Sequence, residues 1–196
     1  MLNTIITEAK QRLKPVHVAF LDVAKAFDSL SHWAILRSLR RLGVPEPLVS
    51  YVEKTYSSTF TRLRVGGVCG PLVKCGRGVR QGDPLSAILF NCVIDEVLSK
   101  TEPCIGYQLD EGANTNGLAF ADDLATVAST REGQQALLDS VSGELGSSGL
   151  DLNPAKCATL SIEIDGKAKR WVVNPNAQFT VGGRVIKALS VEESYK

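Results

Sequence analysis

The most constraining feature of this sequence is a pair of adjacent aspartates, Asp122 and Asp123, between two short apolar runs. Each run has the length of a buried strand, so residues 117–128 predict a β-hairpin with both acids at its turn. Asp is a common turn residue, and a solvated turn is one explanation of the pair. The alternative is a metal site, because a bound cation offsets the repulsion and the desolvation cost of adjacent carboxylates.

A third carboxylate ends another apolar run far upstream of this pair. Residues 16–22 are rich in β-branched and aromatic side chains and predict a buried strand that delivers Asp22 at its C-terminal end. Together with Asp122 and Asp123, Asp22 supplies the carboxylate oxygens that Mg²⁺ prefers in proteins. Two such ions about 4 Å apart support phosphoryl transfer.

Between these carboxylates lies a loop followed by a predicted helix. Pro84 suits the first turn of a helix, and the apolar pattern that follows runs to about Lys100. Gly82 permits close approach of another molecule to the backbone, and the Gln81 amide offers both a donor and an acceptor just before the helix. An ordinary loop and helix start is the other reading of the same residues.

The ordered segments FLDVAKAFD, RQGDPLSAILFN and FADD resemble motifs A, B and C of the reverse transcriptases of non-LTR retrotransposons, and residues 151–157 resemble motif D. Within this family, the segments VRQGDPLS and FADD are most similar to those of the site-specific elements that insert into ribosomal RNA genes. The resemblance covers nearly the whole chain. One departure is Ala87, which stands where the family usually carries proline.

The resemblance implies a metal-binding set in an RNA-directed DNA polymerase. Asp22 and Asp122 would ligate two Mg²⁺ ions, with Mn²⁺ as the alternative metal, and Asp123 would support them. The backbone carbonyl of Val23 would complete the shell of one ion. Lys156 would protonate or neutralise the pyrophosphate leaving group, or else it is a solvated lysine at a strand edge.

The resemblance also implies a nucleotide-binding set and the partners of the reaction. Phe27 matches the bulky residue that excludes a ribose 2′-hydroxyl. Gln81 and Gly82 would line the pocket of the incoming nucleotide and template, beside Arg80. The implied partners are an RNA template, a DNA primer and deoxynucleoside triphosphates. The implied compartment is intracellular and reducing, nuclear or cytoplasmic, with the nucleus favoured.

The chain of 196 residues is short for this family. We expect the fingers motifs upstream of it, and the primer grip, thumb and endonuclease downstream of it, to be missing. This shortness motivates an alternative function, a catalytically silent relic that binds nucleic acid. No transmembrane segment is expected, because no run of about 18 apolar residues occurs. We expect no signal peptide either, because charged side chains interrupt the N-terminal residues.

Charge and cysteine content narrow the expected ligands. The net charge of +1 is low for a nucleic-acid polymerase. Residues 54–82, however, contain no acidic side chain. This segment is either a surface that binds a phosphate backbone or a solvated hairpin whose charge is incidental. The cations of this segment are Lys54, Arg62, Arg64, Lys74, Arg77 and Arg80. The five cysteines form no Cys-x-x-Cys pair, so we expect buried free thiols rather than zinc ligands or disulfides. His17 and His32 lack metal-ligand spacing.

The order of elements predicts an α+β fold of the polymerase palm type, with a ferredoxin-like or RRM-like antiparallel sheet backed by helices. We expect one partial palm domain over residues 1–196, with a fingers-side helix in 1–15 and strands leading toward the primer grip in 165–196. Predicted helices cover 3–14, 31–42 with Ser31 as N-cap, a segment opened by Pro47, 84–100 and 131–147. Predicted strands cover 16–22, 61–65, 68–74, 104–109, 117–128 as a hairpin, 157–164, 170–173 and 178–187.

Apolar periodicity also predicts which helical side chains face inward. Leu42 and Leu48 belong to the expected inner faces of the second and third helices. Arg37, Arg40 and Arg41 are assigned to the solvent-exposed face of the second helix.

Overall fold

A computed structural model of the chain describes residues 1–109, 112–120 and 123–190. The chain divides into two compact units. The sheet unit comprises Met1–Ala24, Val97–Gly146 and Asp151–Lys196, and the helical unit comprises Lys25–Glu96 and Ser147–Leu150. Asp122 lies outside the described residues. In the parts of the chain that are described, no helix is long and apolar enough to cross a membrane.

The described elements alternate between helices and short strands. In chain order they are α1 (Leu2–Arg12), β1 (Val16–Ala24), α2 (Ala26–Ser29), α3 (His32–Arg41), α4 (Glu46–Ser57), β2 (Phe60–Val65), β3 (Val68–Lys74), α5 (Pro84–Ser99), β4 (Tyr107–Gln108), β5 (Asn114–Thr115), β6 (Gly117–Phe120), β7 (Asp123–Ala128), α6 (Arg131–Ser147), β8 (Asp151–Leu152), β9 (Ala158–Asp165), β10 (Arg170–Val173), β11 (Thr180–Val181), β12 (Arg184–Val185) and β13 (Lys187–Ala188).

The sheet unit is built on a seven-stranded sheet in which β1 is central. The strand order is β10-β9-β1-β7-β6, with β8 also paired to β1 and β13 to β9. Among the described strands of this sheet, every pairing is antiparallel except that of β13 with β9. The predicted α+β class and mostly antiparallel sheet are confirmed.

The core of the sheet unit forms because one face of α1 and one face of β1 are apolar. Ile5 and Ala9 of α1 are fully buried together with Val16 and Val18 of β1. The core cluster is completed by Tyr107, Val127 and Ile162. Helix α6 is joined to β7 by a buried hydrogen bond, in which Gln134 Nε2 donates to Thr126 Oγ1 at 2.6 Å. Central position and burial together make β1 a rigid support for Asp22.

The helical unit contains a buried carboxylate that anchors α3 to α5. Arg37 Nε lies 2.7 Å from Glu96 Oε1, and the Ser38 hydroxyl donates to the same carboxylate. Arg37 is therefore half-buried in an ion pair, and its assignment to a solvent-exposed face is wrong. Arg40 and Arg41 do lie on the surface, where they pair with Glu46 and Asp95.

The β2–β3 hairpin of the helical unit follows its predicted bounds closely and is exposed along almost its whole length. Side chains of β2 alternate between the two faces, although the pairing with β3 shifts by one residue between Arg62 and Arg64. Arg62 and Arg64 share one face, with Lys74 opposite Phe60 on that face as well. Leu63 and Val65 lie on the other face and are 73% and 77% exposed.

Several strand boundaries and one helix cap differ from the predictions. Strand β1 continues to Ala24 because β8 supplies hydrogen-bonding partners beyond Asp22. The predicted strand 104–109 is reduced to Tyr107–Gln108, and the predicted strand 178–187 is three short strands turning at Gly182 and Gly183. Ser31 occupies the N-cap position without a side-chain capping bond.

Two leucines and two cysteines are exposed where burial was expected. Leu42 is 47% exposed because α3 ends before it, and Leu48, in the first turn of α4, is 56% exposed. Cys69 and Cys104 are exposed free thiols, whereas Cys157 is buried. Apolar character alone therefore overestimated burial at element ends and on the hairpin.

Candidate active site

Asp22 and Asp123 are directly paired across β1 and β7. The Val127 N–H donates to Asn116 O, so the backbone groups of Val127 point toward β6 and away from β1. The direction alternates from one residue to the next along a strand, and Asp123 lies four residues before Val127. The backbone groups of Asp123 therefore also point away from β1. Asp22 and Asp123 are therefore a non-hydrogen-bonded pair, the closer of the two antiparallel types, with Cα atoms roughly 4.5 Å apart. Their side chains emerge on the same face of the sheet.

The backbone next to Asp22 directs a further oxygen toward β7, in the plane of the sheet. The Asn153 N–H donates to the Asp22 carbonyl at 2.9 Å, on the β8 side of β1. Successive carbonyls of a strand point to opposite sides, so the Val23 carbonyl points toward the β7 side, where Asp123 lies. The side chain of Val23 is thus buried, while its carbonyl is directed toward the strand that carries Asp123.

Lys156 brings a cation close to Asp22. A turn in which Asn153 O accepts from the N–H groups of Lys156 and Cys157 carries the lysine back toward β1. Lys156 Nζ lies 3.6 Å from Asp22 Oδ1, although its side chain is 67% exposed. Burial raises the pKa of the adjacent Cys157 thiol, a hydrogen bond from the Asp22 backbone lowers it, and the Asp22 charge raises it further.

The donors on this face are all oxygens, which is the ligand type that Mg²⁺ prefers. Asp22 is partly exposed and Asp123 is exposed, so both carboxylates are accessible from solvent. Among the described residues, which exclude Asp122, no group of three or more His, Cys, Asp or Glu side chains forms a metal cage. In donor type and accessibility, Asp22 and Asp123 fit a Mg²⁺ ion.

In the helical unit, Phe27 presents a rigid aromatic surface. Phe27 is half-buried, and its ring is stacked on the fully buried ring of Phe90, with centroids 5.1 Å apart and planes inclined by 23°. Lys25, the N-cap of α2, adopts a left-handed conformation that turns the chain between Ala24 and Ala26. Phe27 is held at a defined position because its ring is locked by packing.

The loop of residues 78–82 is fastened to the segment that contains Phe27. The Val79 N–H donates to Phe27 O at 2.7 Å, and the Gly78 N–H donates to Leu30 O at 2.8 Å. Gly78 has φ +84°, and a Cβ there would lie 2.8 Å from Asp28 O, so glycine is required for this close approach. His32 Nε2 bonds Gly78 O at 2.9 Å.

The side chains of the same loop are ordered by specific partners. Gln81 Nε2 donates to Asp28 Oδ1 at 3.1 Å, and Arg80 donates to Thr59 Oγ1 at 3.0 Å. The Ser86 hydroxyl, buried in the first turn of α5, donates to Arg80 O. Gly82 has φ +84° and nothing within 4 Å of its Cβ position, so it leaves open space beside the loop.

The predicted site residues fall into two groups. Asp22, Val23, Asp123 and Lys156 lie together at one edge of the sheet unit. The helical unit carries the second group, which is Phe27, Arg80, Gln81 and Gly82. Sequence reasoning gave no role to Asp28 and considered His32 only as a metal ligand, whereas both contact the loop of residues 78–82. Asp28 is the last residue of the FLDVAKAFD segment, and its position directly after Phe27 was the available signal.

Comparison with known proteins identifies the family of this chain. The family model described as reverse transcriptase (RNA-dependent DNA polymerase) matches residues 2–180. The chain is 42% identical to the retrovirus-related Pol polyprotein from type-1 retrotransposable element R2 of Nasonia vitripennis, across 100% of this chain and 19% of that protein. It is 40% identical to the corresponding polyprotein of type-2 element R2DM of Drosophila melanogaster, across 100% of this chain and 18% of that protein. The chain thus spans about a fifth of these relatives.

Solved structures show the same fold at much lower sequence identity. Apo telomerase from Candida tropicalis, truncated from its C-terminal domain, matches with a TM-score of 0.69 and 16% identity, over 100% of this chain and 39% of that one. The same organism's telomerase in complex with a fragment of telomeric RNA gives a TM-score of 0.64. The predicted resemblance to non-LTR retrotransposon reverse transcriptases is confirmed. The chain belongs to the reverse transcriptase (RNA-dependent DNA polymerase) family, and its relatives include the R2 retrotransposable elements.

Proposed function

We propose that this chain supplies the catalytic carboxylates and part of the nucleotide site for RNA-directed DNA synthesis. The main support is the direct pairing of Asp22 with Asp123 across two central strands of a reverse transcriptase fold. Like charges directly opposite each other destabilise a sheet, so the pair favours a bound cation. The reaction would be attack of a primer 3′-hydroxyl on the α-phosphate of a deoxynucleotide, with release of pyrophosphate.

The metal-binding set would be Asp22, Asp122, Asp123 and the Val23 carbonyl. When bound there, two Mg²⁺ ions would supply Lewis-acid stabilisation to the attacking hydroxyl and to the departing oxygen. Mn²⁺ accepts the same oxygen ligands and is the alternative ion. The rigid β1–β7 ladder holds Asp22 and Asp123 at a fixed spacing. These groups therefore would not have to reorganise when negative charge develops in the transition state.

Lys156 would act on the leaving group from the same edge of the sheet. Its ammonium is held near Asp22 at 3.6 Å and is otherwise exposed, so it is available to a phosphate. A cation at this position would neutralise the charge that develops on pyrophosphate, or donate a proton to it. The flexible lysine stem allows Nζ to move between Asp22 and a phosphate oxygen without disturbing the turn that carries it.

The nucleotide-binding set would be Phe27, Arg80, Gln81 and Gly82. Because Phe27 is locked against Phe90, its ring would act as a wall that rejects a ribose 2′-hydroxyl. Gln81 offers a donor and an acceptor to the nucleotide or template, and Gly82 leaves room for close backbone approach. Arg80 supplies a cation for phosphate contact.

The template would be RNA and the primer DNA. Support comes from the acid-free surface of the β2–β3 hairpin, where Arg62 and Arg64 share a face with Lys74. Cations aligned on one face of an exposed hairpin suit a phosphate backbone. The similarity to retrotransposon proteins leads us to propose the nucleus as the site of action.

Primer extension tests this function most directly. The chain would replace the matching segment of the Nasonia vitripennis R2 polyprotein, and extension of a DNA primer on an RNA template would be measured with Mg²⁺. We expect synthesis that Asp22→Asn abolishes. Synthesis that survives Asp22→Asn would contradict the assignment. In the 196-residue chain alone, Mg²⁺ should raise the unfolding temperature of the wild type more than that of Asp22→Asn.

A further inference from the structure

Asp28 contacts a side chain of the proposed nucleotide-binding set although both groups are exposed. Gln81 Nε2 donates to Asp28 Oδ1 at 3.1 Å. Asp28 follows Phe27 in the short helix α2, where its N–H donates to Lys25 O at 2.9 Å. Both ends of the bond are therefore carried by anchored backbone, because Val79 is also tied to Phe27 O at 2.7 Å.

The chemistry of the two groups allows only one orientation of the amide. An ionised carboxylate only accepts hydrogen bonds, whereas a glutamine amide has a donor end and an acceptor end. Turning the Gln81 amide over would place Oε1 against the Asp28 oxygens and replace attraction by repulsion. Asp28 therefore selects the orientation in which Nε2 faces it. Within the described residues, Oε1 and the second N–H of Nε2 remain available to another molecule.

We propose that Asp28 is a positioning residue that fixes the amide of Gln81 for the incoming deoxynucleotide. The inference rests on the proposed function, since it assigns Gln81 to the nucleotide. In this orientation Gln81 offers Oε1 as an acceptor to a hydroxyl or amino group of the nucleotide. Gln81 has several rotatable bonds, and ordering it before the nucleotide arrives removes that entropic cost from binding.

Gly78 and His32 explain why Asp28 can reach this loop. Gly78 approaches Asp28 O so closely that a Cβ would lie 2.8 Å from it, and His32 Nε2 bonds Gly78 O at 2.9 Å. The loop is thus held against α2 and α3 by contacts that do not involve the Asp28 carboxylate. Truncating that carboxylate should release Gln81 while leaving the loop in place.

A double-mutant cycle in primer extension tests the proposal, with the chain in the R2 polyprotein frame. We expect Asp28→Ala to raise the KM for deoxynucleotide about three- to tenfold, the value of one hydrogen bond, with a smaller change in kcat. In a Gln81→Ala background the same substitution should change KM less than twofold. Asp28→Asn retains an acceptor oxygen and should recover a KM close to the wild-type value. Additive effects of Asp28→Ala and Gln81→Ala would overturn the proposal.

A spectroscopic readout in the 196-residue chain is independent of activity. The Gln81 side-chain NH₂ signals, identified by their loss in Gln81→Ala, should shift in Asp28→Ala and remain in place in the control. Asp139→Ala is a matched control, because Gln135 Nε2 donates to Asp139 Oδ1 at 2.8 Å on α6. Unmoved Gln81 signals in Asp28→Ala would refute the proposal. If Asp22→Asn abolishes activity but Asp28 and Gln81 show no coupling, the positioning role is refuted. The proposed function would stand in that case.

Discussion

Asp22 and Asp123 face each other across neighbouring antiparallel strands as a directly paired, non-hydrogen-bonded couple of carboxylates. Such a pair costs the sheet stability unless a cation lies between or beside the two groups. Lys156 offsets part of that charge from 3.6 Å, but its exposure to solvent weakens the interaction. In the proposed function, a bound divalent ion would offset the remaining cost of the pair.

Asp123→Asn should separate function from stability at this pair. We expect Mg²⁺-dependent primer extension to fall by at least ~100-fold, because several kcal/mol of electrostatic stabilisation would be lost. Removing one of two opposed like charges should leave the free energy of unfolding unchanged or raised, as measured by urea denaturation of the 196-residue chain without metal. Asp139→Asn, on the exposed α6 surface, serves as the control. A large loss of stability in Asp123→Asn would mean that the carboxylate is structural.

Phe27→Ala should relax the choice of sugar. Without the ring that Phe90 holds in place, the preference for deoxynucleotides over ribonucleotides should fall about 10- to 100-fold, the usual effect of removing a steric contact from a pocket. The measurement is incorporation of each nucleotide opposite the same template base. Tyr51→Ala, also in the helical unit and 62% exposed, should leave the preference unchanged. An unchanged preference in Phe27→Ala would remove this residue from the nucleotide site.

Neutralising the hairpin cations should weaken RNA binding in a salt-dependent way. We expect Arg62→Gln and Arg64→Gln each to lower the affinity for RNA, and to reduce the slope of log K against log salt by about one per residue. Filter binding by the 196-residue chain over a range of salt concentrations measures both quantities. Arg184→Gln, an exposed cation of the sheet unit, is the matched control. A salt slope that is the same in all three variants would show that the hairpin does not follow phosphates.

His17 should make the stability of the chain fall in mild acid. Its ring is buried in β1, 3.1 Å from the Ser161 hydroxyl. Burial lowers the pKa of His17, nearby Glu163 and Glu132 raise it and Arg131 lowers it, with a net effect below its ordinary value of 6.5. The unfolded chain therefore binds a proton more readily than the folded chain. Stability should be highest above pH 6.5 and decline as the pH falls toward the folded-state pKa, by at most about 1.4 kcal/mol per pH unit.

Urea denaturation between pH 8 and pH 5 measures this effect. In His17→Gln, which cannot titrate, the decline should be smaller, although the variant is expected to be less stable at every pH because the site is buried. An equal decline in wild type and His17→Gln would assign the acid sensitivity to other groups.

Elements with strong local signals were predicted well. Helix α6 and strand β10 have the predicted bounds, and the hairpin β2–β3 and helix α5 differ by about one residue, because periodicity and Gly or Pro boundaries mark them. Predictions of burial failed where a residue stands at an element end, as at Leu42 and Leu48. Arg37 was misassigned because its buried partner, Glu96, lies in another helix and carries no local signal.

The sequence by itself determined the family, the mixed fold class and the identity of the candidate carboxylates, because ordered motifs and apolar periodicity are local properties of the chain. Only the tertiary structure decided that Asp123 is the direct partner of Asp22, that the Val23 carbonyl points toward the β7 side, and that the Gln81 amide donates to Asp28. These relationships depend on strand register and on contacts between residues distant in the chain. Register is set by packing over the whole sheet, and a shift of one residue would place every side chain of the strand on the opposite face.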